Sequence, residues 1–237
     1  MAAINDTLQA VATRIHEAAR AAGRDPSVIS LLAVTKTVPA DAIREACAAG
    51  QRSFGENYVQ EALEKQAALA ASGFAGPVEW HLIGPLQSNK TRAAAGGFDW
   101  VHTVDREKVA RRLSEARAAG APPLNVLVQV NVSGEATKSG VPPQEVETLA
   151  RAVAALPRLR LRGLMAIPEP TGDENLQLER FRTVRALFDR LNDSGMQLDT
   201  LSMGMSQDLE AAVAAGATMV RIGSAIFGER TRAKAAA

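Results

Sequence analysis

Ile29-Ser30-Leu31-Leu32-Ala33-Val34-Thr35-Lys36 is a short apolar run that ends on a charge, and Ala40 to Ala49 follows it at helical spacing. A brief β-branched and aliphatic run reads as a buried strand, and the Ala-rich periodic stretch after it as the helix that returns across the sheet. The same unit recurs outward from this point. Arg52 to Gly55, Glu79 to Ile83, Asp99 to Val104, Asn125 to Val132, Leu161 to Ile167, Asp199 to Met203 and Met219 to Ile222 read as strands. Helices are expected near Asn57 to Ala70, Ser88 to Ala95, Asp105 to Ala119, Pro143 to Leu156, Asn175 to Asp193 and Gln207 to Ala215. The helix from Asn175 is the most periodic, with Phe181, Val184, Leu187, Phe188 and Leu191 on one stripe.

Strands alternating with helices over 237 residues predict a single (β/α)8 TIM barrel across 1–237, close to the ~250 residues typical of that fold. An open doubly wound sheet is the alternative, because the second and seventh strands are short. Ahead of the repeat, Leu8, Val11, Ala12, Ile15, Ala18, Ala19 and Ala22 mark an extra N-terminal helix, with Asn5 or Asp6 as its N-cap and Gly23 as its stop.

Composition narrows the function. The chain is 46% hydrophobic and 22% charged, which suits a globular core. No run approaches the ~18 apolar residues of a spanning helix, and the first residues lack the basic flank and apolar core of a secretion signal, so the cytoplasm is expected. Twenty-seven basic residues against 26 acidic ones, with 4% aromatics, give neither a nucleic-acid face nor an acidic tail, and the expected partner is a small molecule. The one cysteine, Cys47, lies in an apolar helical run and reads as a small buried hydrophobe.

A barrel carries its chemistry on the loops that leave the C-terminal ends of its strands. Lys36 stands at the first such end, where it is either an ordinary strand-end lysine or, if desolvated and close to other cations, an amine that attacks an aldehyde. Met219 to Gly228 supplies a strand, a glycine turn and a helical start, where either the N–H groups of Gly223, Ser224 and Ala225 converge on an anion or the glycine merely ends the strand. Leu201 to Ser206 adds a glycine and two hydroxyls from the neighbouring loop, and phosphate is the expected guest. Arg221 points either outward to a helix carboxylate or inward, where a ring nitrogen would serve as its acceptor. His81 either touches a ligand or is a hydrogen-bonded core residue. Asn57 sits at the rim and is also a candidate cap, and Ser88 is a candidate cap for the next helix. Ser133 to Gly140 reads as a hinged lid carrying Lys138 and Pro168 to Asp173 as a stiffer acidic loop, with a plain solvated connection as the alternative for both.

Taken together, the sequence resembles the pyridoxal 5'-phosphate homeostasis protein family, the YggS/PROSC group. The resemblance runs through Ala33 to Thr37, Phe54 to Glu61, Trp80 to Lys90, Asn131 to Gly140, Leu161 to Pro168, Leu201 to Ser206 and Val220 to Gly228, nearly the whole chain in collinear order. It implies a fold-type III barrel like the N-terminal domain of alanine racemases, with Lys36 holding pyridoxal 5'-phosphate as a Schiff base and Arg221 facing the pyridine nitrogen. It also implies that Ser202 or Ser206, with the backbone of Gly223 and Ser224, holds the phosphate, and that Asn57, His81 and Met203 lie near the ring or its phosphate. Lys138 matches a second family lysine, with an implied delivery or regulatory contact. Where racemases keep a phosphate-contacting tyrosine, four residues after the lysine, this chain has Ala40; the racemases' second domain, which supplies a tyrosine base, is not expected. Racemisation needs two acid/base groups, and Lys36 alone is expected here. The implied role is therefore a carrier or buffer of the cofactor, monomeric and passing it to apo-enzymes that use it. A low-activity racemase and a cofactor-free Schiff-base aldolase are the alternatives.

Overall fold

The computed structural model describes residues 3–135 and 139–228. Eight parallel strands pair in chain order and close on themselves: β1 (Ser30–Val34), β2 (Ser53–Glu56), β3 (Glu79–Leu82), β4 (Trp100–Val104), β5 (Leu124–Val130), β6 (Leu159–Ala166), β7 (Thr200–Ser202) and β8 (Met219–Ile222). The seam is the β1–β8 pairing, in register from Ser30 opposite Met219 to Ala33 opposite Ile222. The barrel is closed, and the open doubly wound alternative is overturned.

Helices α1 (Ile4–Ala21), α2 (Ala40–Ala48), α3 (Val59–Ala71), α4 (Thr91–Gly97), α5 (Glu107–Ala116), α6 (Val146–Ala154), α7 (Glu174–Asp193), α8 (Leu209–Ala214) and α9 (Ser224–Phe227) surround the strands. The extra helix α1 lies against α8 and α9. Arg14 forks onto both carboxylate oxygens of Glu210 at 2.7 and 2.8 Å, and Thr7 donates to the Ile226 carbonyl. Its cap is Ala3, through backbone alone, rather than Asn5 or Asp6. The expected caps Asn57 and Ser88 do not cap either. The residues before α3 and α4 are Tyr58 and Lys90, and neither donates or accepts through its side chain there. Among the described helices no segment is long and apolar enough to cross a membrane.

Successive strand side chains alternate between the helices outside and the barrel lumen. The outward set packs under the helices as the main apolar core. The lumen is filled by Leu32, Val34, Ile83 and Met219 on one side and Trp100, Leu127 and Met165 on the other. It also holds buried His81, His102, Ser202 and Arg221. The 3.0 Å bond from His102 on β4 to Ser202 on β7 joins non-adjacent strands and therefore crosses the lumen.

β6 carries a bulge, since its register against β5 shifts between Leu161 and Gly163. The extra residue, Arg162, reaches over the Trp100 ring at 4.6 Å and pairs with Asp199. Gly163 has φ +156°, and a Cβ there would sit 1.8 Å from the Thr200 carbonyl oxygen. Gly163→Ala is therefore expected to cost about 3 kcal/mol or more through backbone displacement of β7, read as a lower midpoint in urea unfolding.

Candidate functional site

The C-terminal strand ends open on a cavity of about 420 Å³, and Lys36, Asn57, Ser206, Arg221, Gly223 and Ser224 all contribute to its wall. These six belong to the sequence-predicted set, and four different strand ends bring them together. The other three stand elsewhere. Met203 is fully buried in the main core, its N–H bonded to the Met219 carbonyl. Ser202 lies behind the wall, accepting from Arg221 at 2.8 Å. His81 is a hydrogen-bonded lumen residue, stacked on Trp100 with ring centroids 5.2 Å apart. Lys138 lies outside the described residues.

Lys36 is half-buried in the turn after β1, and its flanks are held by a buried ionic cluster. Lys65, reaching in from α3, donates to the Thr35 carbonyl at 2.6 Å, to Glu56 at 2.7 Å and to Glu61 at 2.6 Å. Glu61 in turn accepts the Thr37 N–H, which sits at φ +62° in the left-handed region that a threonine rarely visits. Glu56 also accepts from the Thr35 hydroxyl, while its second oxygen is buried without a partner. Burial pushes the Glu56 carboxyl upward, opposed by Lys65 and Thr35. The residues before and after the lysine are thus both tied to one cation, which fixes where the lysine starts.

Arg221 points inward and is 3% exposed. It donates to the Ser202 hydroxyl and, at 2.8 Å, to the Ala166 carbonyl. Burial lowers its guanidinium to about 10, with Asp208 acting in the opposite sense. At that value it remains a cation near neutral pH. Gly204, at φ +95°, accepts the Arg221 N–H, and a Cβ on it would meet the Ala212 side chain at 2.6 Å. Beside it α9 opens at Gly223 with no side-chain cap on its first N–H groups. Elsewhere on the rim a Cβ on Gly84 would meet the Asn57 carbonyl oxygen at 2.1 Å, so only glycine lets the β2 and β3 loops pack there.

Several wall residues were not foreseen in the sequence. Glu169, Pro170 and Thr171 come from the loop after β6, and Gln177 of α7 holds Thr171 through its carbonyl at 2.6 Å. Asp208 accepts the Met205 N–H at 2.6 Å and shapes the β7 loop. Burial raises its carboxyl, countered by the Met205 N–H and by Arg221. Its place two residues after Ser206 and just before an apolar run is a helix-start signal that was available in the sequence.

Comparison with known proteins places these features in a family. The alanine racemase N-terminal domain model matches residues 7–231. A Pseudomonas aeruginosa protein named pyridoxal phosphate homeostasis protein is 61% identical over 230 residues, covering 97% of each chain. One of the same name from Escherichia coli K12 is 54% identical over 234 residues, covering 99% of this chain and 97% of that one. Among solved structures, PipY of Synechococcus elongatus with PLP bound superposes with a TM-score of 0.81 at 36% identity, covering 95% of this chain and all of PipY. This chain belongs to the pyridoxal phosphate homeostasis protein family, built on the barrel of the alanine racemase N-terminal domain.

Proposed function

We propose that the chain holds pyridoxal 5'-phosphate at the C-terminal mouth of its barrel and serves as a carrier or buffer in the homeostasis of that cofactor. The observation that carries this reading is the meeting on one cavity of a strand-end lysine, a buried arginine and the Gly223–Ser224 turn. The donor set suits the group in each of its parts. Lys36 offers an amine, and the uncapped N–H groups at the start of α9, with Ser206, suit an anion. Arg221 is a buried donor on the cavity wall, with no ion-pair partner among the described residues. A volume of about 420 Å³ lies in the range of small-ligand pockets.

When bound, pyridoxal phosphate supplies an aldehyde that condenses reversibly with an amine. Lys36 is the amine assigned to it, aimed by the Lys65 cluster on either side of it. Gly223, Ser224 and Ser206 would hold the phosphate, and Asn57 lines the same cavity. Arg221 keeps its positive charge and so disfavours a second positive charge on a ring nitrogen beside it, which leaves electron withdrawal at that point weak. That electrostatic bias favours holding the cofactor over turning substrates over. Ser202 acts through Arg221, while His81 and Met203 stand behind the wall. We read the protein as one barrel domain, acting as a monomer in the cytoplasm and releasing the cofactor to apo-enzymes. The names of its relatives and the PLP-bound PipY support this role.

One observation favours a second reading. Asp208 and Glu169 also line the cavity, giving a low-activity racemase ionisable groups besides Lys36. Incubation with single-enantiomer amino acids in deuterated water separates the two: the carrier gives no sustained exchange with inversion at the α-carbon. For binding itself, added cofactor is expected to generate visible absorption, and borohydride to fix it on the Lys36 peptide. A colourless protein with no adduct at Lys36 would remove the reading and favour the aldolase. Arg221→Gln is expected to weaken cofactor binding roughly ten- to a hundredfold, the worth of a charge-assisted hydrogen bond, and to shift the absorption of the complex.

A further inference from the structure

One hydrogen-bonded chain in the lumen is not used by the site as described. Glu79, the first residue of β3, lies at the N-terminal mouth, on the opposite side of the barrel from the cavity, with its side chain 43% exposed. Its Oε2 lies 3.0 Å from His81 Nε2, and His81 Nδ1 lies 2.9 Å from His102 Nε2. His102 Nδ1 then lies 3.0 Å from Ser202 Oγ, which accepts from Arg221 Nη1 at 2.8 Å. The four links run without a gap from a carboxylate at one mouth to a guanidinium on the wall of the cavity at the other.

Both ends dictate the direction of every bond between them. Arg221 has donors only, so Ser202 must accept from it and turn its own hydrogen to His102 Nδ1. His102 then carries its proton on Nε2 and donates to His81 Nδ1, and His81 donates from Nε2 to Glu79. The reverse polarity would set His81 Nε2 against the carboxylate as two facing acceptors and would leave Ser202 with two donors aimed at it and no partner for its own hydrogen. An imidazolium at either histidine also breaks the order, since it would donate from both nitrogens. The surroundings agree. Burial lowers both histidines, His102 further through the Arg221 charge, and the His81 bond holds Glu79 down at about 2. Trp100 Nε1 and Ser53 Oγ also donate to Glu79, at 2.8 and 3.1 Å, which anchors the anionic end.

We propose that Glu79, His81 and His102 are positioning residues for Arg221: the distant carboxylate fixes both imidazoles as Nε2–H tautomers and so holds the Ser202 oxygen towards the guanidinium. One edge of Arg221 is thereby pinned by Ser202 and the Ala166 carbonyl, and its remaining donors are left for an acceptor in the cavity. This deepens, and for its consequence on binding rests on, the reading of the cavity as a pyridoxal phosphate site.

The chain has three histidines, and the exposed His16 provides a reference signal for nitrogen-15 spectra of the ligand-free protein. His81 and His102 are expected to be neutral and protonated on Nε2 near neutral pH. A Nδ1–H tautomer or an imidazolium at either would overturn the proposal without any variant being made. Glu79→Gln keeps the size but offers one acceptor oxygen where Trp100 and His81 both need one. It is expected to mix the tautomers at both histidines, to move the Arg221 Nε–H signal in the ligand-free protein, and to weaken pyridoxal phosphate binding roughly three- to tenfold, the loss of one buried hydrogen bond. Ser53→Ala, which removes a different bond to Glu79, is expected to leave the tautomers and the Arg221 signal in place. An unmoved Arg221 signal in Glu79→Gln sinks the positioning role whether or not cofactor binds. A wild-type protein that takes up no pyridoxal phosphate sinks the functional reading instead, and the ligand-free spectra still decide the relay.

Discussion

The pairing of β8 with β1 is the constraint on which the site depends. Leu32 lies opposite Arg221 and Ala33 opposite Ile222, so the lysine three residues beyond Ala33 and the glycine one residue beyond Ile222 emerge at the same mouth. A slip of one residue along that seam would turn Arg221 out among the helices and bring an aliphatic side chain into the lumen in its place. Closure is therefore a positional device as well as a packing one. It makes the first and last strands of the repeat neighbours and sets an amine from one beside a cation and an anion-binding turn from the other.

The fold was legible because the sequence alternates cleanly between short apolar runs and longer periodic ones, and this survives even where β7 is only three residues long. Helix starts were less legible. Asn57 and Ser88 have the chemistry of caps, but the backbone of Asn57 is held under Gly84, and the Ser88 carbonyl instead accepts from Thr91 and Arg112. A tertiary contact fixes the backbone at Asn57, while at Ser88 the chain runs on through a local turn before α4 begins. The first helical residues, Val59 and Thr91, lie one and two residues later than caps at Asn57 and Ser88 would place them.

Side-chain facing was the part that the sequence withheld. Parallel strands in a barrel are covered on both sides, so the alternation of polar and apolar residues that marks a half-exposed strand is lost. Within Trp80-His81-Leu82 or Val220-Arg221-Ile222 nothing local says which residue enters the lumen. Arg221 and His81 could each be read two ways, and only the cross-lumen bonds settle them. The contribution of Asp208, Glu169 and Thr171 to the cavity wall was hidden for a related reason: loop residues with ordinary solvated chemistry become wall residues through the path of the backbone, which pattern alone does not give.

The polar column in the lumen bears on how such a cavity can be transplanted. An engineer who moves only the rim loops and the arginine onto another barrel would set that cation among the branched aliphatic side chains that usually fill such interiors, where a lone charge is poorly tolerated. The graft would have to take inner residues from β3, β4 and β7 along with it, down to the acidic group at the opposite opening. The transferable unit is therefore a shaft through the whole barrel, and the loops are its visible end.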